Sequence, residues 1–414
     1  MESAMTFRSL AVLFIWLAAT LAAPAVRAQE RPVILIGLDG FRADYLDRGV
    51  TPTLSRLAAE GARAEGGMKP SFPSVTFPNF YTLATGLHPD HHGLVYNMMQ
   101  DSGLPGRTFT LGNRVEVMDR AWYDDAEPIW VTAEKAGLRT ATLFWPGSEA
   151  PIGGVRPTYW LPFEQSVPSA ARVNMLLGWF TLPMNERPRL ATIYFDILDT
   201  AGHRFGPDSP EVTAALAEAD AAVTLLLEGL KSRGVEANLV IVADHGMAAI
   251  SGERVIMLDD QLDPSAFTVT ALGPVATLDP APGREAEVEH ALLGSAPHRQ
   301  CWRKGELPAR LAYGTHRRIP AIVCLAETGW YIGVRARTDP GRIRGGAHGY
   351  DNAEPQMRAL FIAHGRDIIP AVELPDMDSV DVQPLLARLL GLDAPTGDGR
   401  AEDTDLAVRA DPEG

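Results

Sequence analysis

Residues 32–61 read PVILIGLDGFRADYLDRGVTPTLSRLAAEG, and the order of patterns in that stretch decides the fold class. Val33–Leu38 is a run of apolar, mostly branched residues that stops at Asp39-Gly40, which reads as a buried strand. A helix follows, with Thr51 as N-cap, Pro52 in the first turn and Gly61 at its end. The strand pattern returns in RTATLFW (139–145), RLATIYFDIL (189–198) and ANLVIVA (237–243). Between the last two lies a long helix over 209–234, capped by Ser209, with Pro210 at its start and Gly234 past its end. Such alternation predicts an α/β fold: a mostly parallel sheet sandwiched by helices.

From about 248 to 345 the character changes. The segments become short, Pro-rich and Arg-rich, and RLAYG (310–314) and AIVCLAETGWYIGV (321–334) suggest antiparallel hairpins. We read this part as a small α+β insertion or lid. After it come the glycine-rich GGAHGYDN (345–352), another strand in RALFIAHG and a closing helix in DVQPLLARLLGL.

At the N-terminus an apolar run, LAVLFIWLAATLAAPAV, follows Arg8, and Val26 and Ala28 sit where a signal peptidase reads small residues. Residues 1–28 are therefore expected to be a secretory signal, leaving 29–414 as one catalytic domain in the periplasm or outside the cell. The run is shorter than the ~20 residues that span a bilayer, and no comparable run follows, so no membrane span is expected after cleavage. A formal charge of −15 argues against binding a nucleic-acid scaffold, which needs clustered Lys and Arg. The chain has two cysteines, Cys301 and Cys324, which in an oxidising compartment most simply form one disulfide.

The strand ends carry the chemistry. One strand runs into Asp39, another into Asp199 of LDTAGHRFGP, a third into Asp244 of ADHGM. Ligands in open α/β sheets collect beyond the carboxyl ends of strands, so these carboxylates should converge. His203 lies four residues after Asp199, His245 follows Asp244, and His348 sits in GGAHGYDN. Carboxylate oxygen and imidazole nitrogen are the donors that zinc and related divalent metals take, and these suffice for two ions. HPDHHG (88–93) holds more histidines, but no strand delivers them; a loop-stabilising role is expected for His92 and exposure for His88 and His91.

GLDGFRADYL, PSFPSVTFPNFYTLATGLHPDHHGLVYN, DTAGHRFGP, ADHGM and GGAHGYDN occur in the order and approximate spacing of the nucleotide pyrophosphatase/phosphodiesterase family, within the alkaline phosphatase superfamily. The chain resembles a compact, bacterial-type member without the disulfide-rich accessory domains of animal relatives. The resemblance implies two zinc ions, one on Asp199, His203 and His348, the other on Asp39, Thr76, Asp244 and His245. It further implies that Thr76 is the nucleophile of a two-step, in-line displacement through a phosphothreonine ester. Zinc coordination would favour the threonine alkoxide, and a helix N-terminus would favour an incoming phosphate. Asn97 matches a donor to a non-bridging phosphate oxygen, and Phe77 and Tyr194 match positions that hold a nucleotide base. Asp196 and Leu198 depart from the Glu and Pro of many relatives, which bears on substrate preference rather than on the metals. The substrate class implied is a small phosphodiester or nucleotide.

Other members of the superfamily remain as alternatives. Sulfatases need a Cys or Ser nucleophile with a following Arg, absent from VTFPN, and alkaline phosphatases use serine. Phosphonoacetate hydrolases use threonine, and choline-headgroup phosphodiesterases share the family pattern. A silent extracellular binding protein on this scaffold would be expected to have lost ligands, and all seven ligand positions are filled.

Overall fold

The structure is a computed structural model that describes residues 31–375, 377–393 and 395–409; the expected signal at 1–28 lies outside the described residues. Its main sheet has eight strands, in the order Val372–Leu374, Ala62–Ala64, Phe361–His364, Asn238–Val242, Val33–Leu38, Leu190–Phe195, Thr140–Leu143 and Tyr159–Leu161. Only Phe361–His364 runs against the others. The central strands are buried along their whole length, which is why they read as continuous apolar runs rather than as alternation.

Two groups of helices flank this sheet. Pro52–Glu60 and Ser169–Trp179 both pack against Pro210–Ser232, and Thr76–Thr85, Ile129–Lys135 and Val382–Leu390 pack with one another. The long helix starts where the sequence places its cap, with the Ser209 hydroxyl accepting from the Val212 N–H. Gly37 sets the approach of the helix Thr76–Thr85. A Cβ there would lie 2.6 Å from the Phe80 ring, so the absence of a side chain lets the helix lie directly on the central strand.

The segment expected as an insertion holds a separate five-stranded antiparallel sheet, in the order Phe267–Ala271, Val275–Pro280, Ile322–Ala326, Arg299–Arg303, Gly294–Ala296. Its apolar residues, among them Leu278, Val288 and Ile322, form a second core. Cys301 and Cys324 face each other across neighbouring strands and are joined by a disulfide. Ala248–Ala249 and Gly346–Ala347, at the two ends of this segment, pair with each other.

The hairpins read from RLAYG and AIVCLAETGWYIGV are not formed. Ala309–Leu311 is a single 3-10 turn, and Tyr331–Gly333 leaves the antiparallel sheet to pair in parallel with Val255–Met257. Tyr331–Gly333 carries strand-forming residues, but its partner lies far away in sequence, beyond what a local pattern reports.

Candidate active site

Asp39, Asp199 and Asp244 meet because their strands end level: Leu38 pairs with Phe195, and Gly37 with Val242. Asp199 and His203 share one face of the helix Ile197–Phe205, being four residues apart. The Asp199 N–H donates to the Asp39 carbonyl at 3.1 Å, and the Gly40 N–H donates to Asp244 Oδ1 at 3.1 Å, so the strand ends are tied to one another. Thr76 is the first residue of its helix, with Val75 in the cap position, and is 7% exposed. It is therefore not the N-cap; its hydroxyl instead lies 3.4 Å from His245 Nε2.

The imidazoles close the cluster. His203 Nε2 lies 3.1 Å from His348 Nε2, and both approach Asp199 Oδ1, at 3.3 and 3.4 Å. His245 Nε2 is 2.9 Å from Asp244 Oδ2 and 3.6 Å from Asp39 Oδ1, and its ring stacks on His348 at 3.5 Å. The other ring nitrogen of each histidine is taken by a backbone carbonyl: His203 Nδ1 by Gly346, His245 Nδ1 by Gly246, His348 Nδ1 by Ser74. Those contacts fix the tautomer with Nδ1 protonated and the Nε2 lone pair turned inward, the arrangement of metal-binding imidazoles.

Three buried carboxylate oxygens facing this space, Asp39 Oδ1, Asp199 Oδ1 and Asp244 Oδ2, have no hydrogen-bond donor among the described residues. Burial, reinforced by Asp244 and Asp199, holds the Asp39 carboxyl well above the usual carboxylate range; burial, with Asp199, does the same to Asp244. Burial next to His245 and His203 pushes His348 well below the usual imidazole range, leaving it neutral. Acceptor-only oxygens converging with imidazole lone pairs, and no cation among them, fit divalent metal ions. Donor atoms of Asp199, His203 and His348 lie within 4.8 Å of one another, as do those of Asp39, Asp199 and His245, so Asp199 stands between the two groups.

The remaining candidates are placed as follows. The Asn97 side-chain oxygen accepts from the Phe77 N–H at 2.9 Å, which fixes the amide plane and leaves its NH2 group free to donate. Phe77 is half-buried, edge-on to Phe109. Tyr194 does not line an open cleft. It is buried between Phe80 and Phe163, and its hydroxyl donates to Asp39 Oδ2, so it braces a carboxylate from below. Asp196 is turned away, paired with Arg172 at 2.8 Å and accepting from Gln165 at 2.9 Å.

His92 is buried, its Nε2 3.0 Å from the Thr82 hydroxyl and its ring on Tyr81. His91 is exposed, but His88 is half-buried, with Nδ1 on the Ser71 hydroxyl, a correction to the expected exposure. The short turn Pro89–His92 swings it inward. What sequence reasoning missed is the outer layer: the carbonyls of Ser74, Gly246 and Gly346 carry no side-chain signal, whereas a tyrosine inside an apolar strand was a visible one.

Residues 33–351 match the family model described as type I phosphodiesterase / nucleotide pyrophosphatase. An uncharacterized pyrophosphatase/phosphodiesterase of Schizosaccharomyces pombe is 37% identical over 387 residues, covering 90% of this chain and 79% of that protein. Human ectonucleotide pyrophosphatase/phosphodiesterase family member 5 is 34% identical over 393 residues, covering 94% of this chain and 81% of the relative. Among solved structures, an inactive threonine-to-alanine variant of the murine family member 5, in complex with AMP, superposes with a TM-score of 0.86 at 34% identity, covering 91% of this chain and 100% of that one. With fold, site and sequence in agreement, the chain belongs to the type I phosphodiesterase / nucleotide pyrophosphatase family and is a hydrolase of that class.

Proposed function

We propose that this enzyme is an exported, zinc-dependent phosphodiesterase and nucleotide pyrophosphatase that works through a phosphothreonine ester on Thr76. The observation that carries the reading is the set of donor-less oxygens of Asp39, Asp199 and Asp244 facing three inward imidazole lone pairs beside the Thr76 hydroxyl. Asp199, His203 and His348 would hold one ion, and Asp39, Thr76, Asp244 and His245 the other. Bound there, zinc supplies Lewis acidity to the phosphate and lowers the proton affinity of the hydroxyl. Thr76, at the first turn of its helix, presents its oxygen where the positive end of the helix dipole faces the phosphate. The Asn97 NH2 group, oriented by Phe77, donates to a non-bridging oxygen. Tyr194 holds Asp39 in place, and the three backbone carbonyls hold the imidazoles.

Export rests on the N-terminal pattern at 1–28, with 29–414 as the mature chain; among the described residues no helix is long and apolar enough to cross a membrane. A relative of Xenopus laevis, 34% identical, is named a bis(5'-adenosyl)-triphosphatase, which supports a nucleotide substrate for this chain.

The test is Thr76→Ala, assayed against nucleotide diesters with metal content measured in parallel. The variant is expected to fold and to keep about two zinc ions, the count that two donor groups of this kind imply. Its turnover is expected to fall by at least ~10³-fold, as loss of a covalent nucleophile does. In wild type, acid quench with labelled substrate should place the phosphoryl group on Thr76, and Thr76→Ser should keep partial activity. An alanine variant with both metals and near wild-type turnover would refute the assignment.

A further inference from the structure

A cavity of about 360 Å³ opens beside the site, and Asn97, His203, His348, Tyr331, Arg342 and Arg344 are among the residues that line it. No Asp or Glu among the described residues lines it, although the chain carries a net charge of −15. The cavity of about 500 Å³ along the helix Ile197–Phe205 differs: Asp196, Glu211 and Glu218 line it, and Arg172 is already paired with Asp196. The two arginines of the first cavity are open. Arg342 reaches only Asp339, at 3.9 Å, with its side chain 88% exposed, and Arg344 makes no hydrogen bond or ion pair among the described residues.

Their backbone is nevertheless held. Gly345, at φ 83°, lies against the His203 carbonyl so closely that a Cβ would come within 2.1 Å of that oxygen. Arg344 is thus one residue from a fixed contact with the helix that carries Asp199 and His203. The cavity touches the site at His203 and His348, whereas His245, whose Nε2 lies 3.4 Å from the Thr76 hydroxyl, and its neighbours Asp39 and Asp244 do not line it. In-line displacement puts the leaving group on the side opposite the attacking oxygen. A planar, permanently charged guanidinium matches phosphate oxygens in pairs.

We propose that Arg342 and Arg344 bind the outer phosphates of an anionic leaving group, so that the enzyme favours nucleoside polyphosphates over diesters whose leaving group is a neutral alcohol. The inference rests on the phosphodiesterase reading above and adds the specificity of its leaving-group side. In the reaction, the bond between the α-phosphorus and the α,β-bridging oxygen breaks as the Thr76 oxygen bonds to phosphorus. The electron pair leaves on the bridging oxygen, as pyrophosphate from a nucleoside triphosphate, and the proton given up by the threonine hydroxyl is taken by the pyrophosphate or by solvent. Water then supplies the oxygen that releases the nucleoside monophosphate, restores the threonine hydroxyl and sheds one proton.

The experiment compares wild type with Arg342→Ala/Arg344→Ala on two substrates that share one nucleotide: thymidine triphosphate and the p-nitrophenyl ester of thymidine 5'-monophosphate. For the triphosphate, kcat/KM is expected to fall by about tenfold or more, while the nitrophenyl ester stays within about twofold, since each rim contact to phosphate is a partly screened, charge-assisted one. On a Thr76→Ala background, equilibrium titration with the α,β-methylene triphosphate analogue should show a dissociation constant raised by about the same factor, with thymidine monophosphate unchanged. The Arg→Lys pair should recover part of the loss. An equal fall on both substrates, or an unchanged ratio with unchanged analogue binding, overturns the inference alone. A wild type that cleaves neither substrate sinks the phosphodiesterase reading and this inference with it.

Discussion

In the eight-stranded sheet the central strands are apolar throughout and then end in carboxylates whose oxygens face one another without donors. In the five-stranded sheet polarity is settled locally: the buried Arg299 donates to the Leu292 carbonyl and to Gln261, Arg303 pairs with Glu289 at the surface, and a disulfide crosses the middle. One region gathers at its edge carboxylates and imidazoles that could hold a metal ion; in the other, the polar groups are paired locally. Stability and chemistry are thus separated within a single chain.

That separation can be broken most strongly at the disulfide. Cys301 and Cys324 are 23 residues apart, and closing a loop of that size restricts the unfolded chain by about 3 kcal/mol. Cys301→Ala/Cys324→Ala should lower the free energy of unfolding by about that amount in urea titration, with turnover at low temperature close to wild type. A variant that kept its stability and lost its activity would show that the small sheet serves the site directly.

Tyr194→Phe tests the opposite region. The hydroxyl touches Asp39 and little else, so its removal should lower metal affinity or activity by about 10–100-fold, the usual effect of losing a partner that orients a ligand, with little change in unfolding midpoint. Loss of stability with unaltered metal affinity would leave Tyr194 as a packing residue.

The smallest effect is expected where the regions join. Asp90 accepts from the N–H groups of Gly314, Thr315 and His316 and from the Thr315 hydroxyl, fastening the chain that leaves the small sheet. Burial alone would raise its pKa, but those donors outweigh burial and hold the carboxyl below its ordinary value. Because the folded pKa is the depressed one, the stabilisation is complete above the unfolded pKa and disappears as pH falls through the folded value. Asp90→Asn should cost about 1–2 kcal/mol at neutral pH, and the gap from wild type should close in acid, as urea midpoints at neutral and acid pH would report.

Asp39 and Asp244 were legible because a fully buried strand is a local signal and an aspartate just past its end is close in sequence, whereas the strand read as 189–198 stops at Phe195 and Asp199 lies on the helix Ile197–Phe205 that follows. Asp39, Asp199 and Asp244 could be read as one site before any geometry was known. Tyr194 was visible as a tyrosine but not as a brace, since the direction of its ring depends on where Phe80 and Phe163 pack. Tyr331–Gly333 was assigned to the wrong partner because its strand pairs with Val255–Met257 across a long loop. Arg342 and Arg344 gave no signal at all: in sequence they are two charges before a glycine pair, and only the return of that segment against His203 puts them at a cavity.

The contact between Gly345 and the His203 carbonyl also has a consequence for how the enzyme comes into being. A ribosome delivers the chain from the amino end, and the first of the clustered groups, Asp39, waits for the last, His348, through nearly all of the intervening synthesis. Docking of 345–348 onto the helix Ile197–Phe205 is a long-range event, slow to nucleate compared with local helices and hairpins. A chain synthesised only as far as the small sheet therefore lacks His348, and with it one of the imidazoles that close the cluster around Asp199.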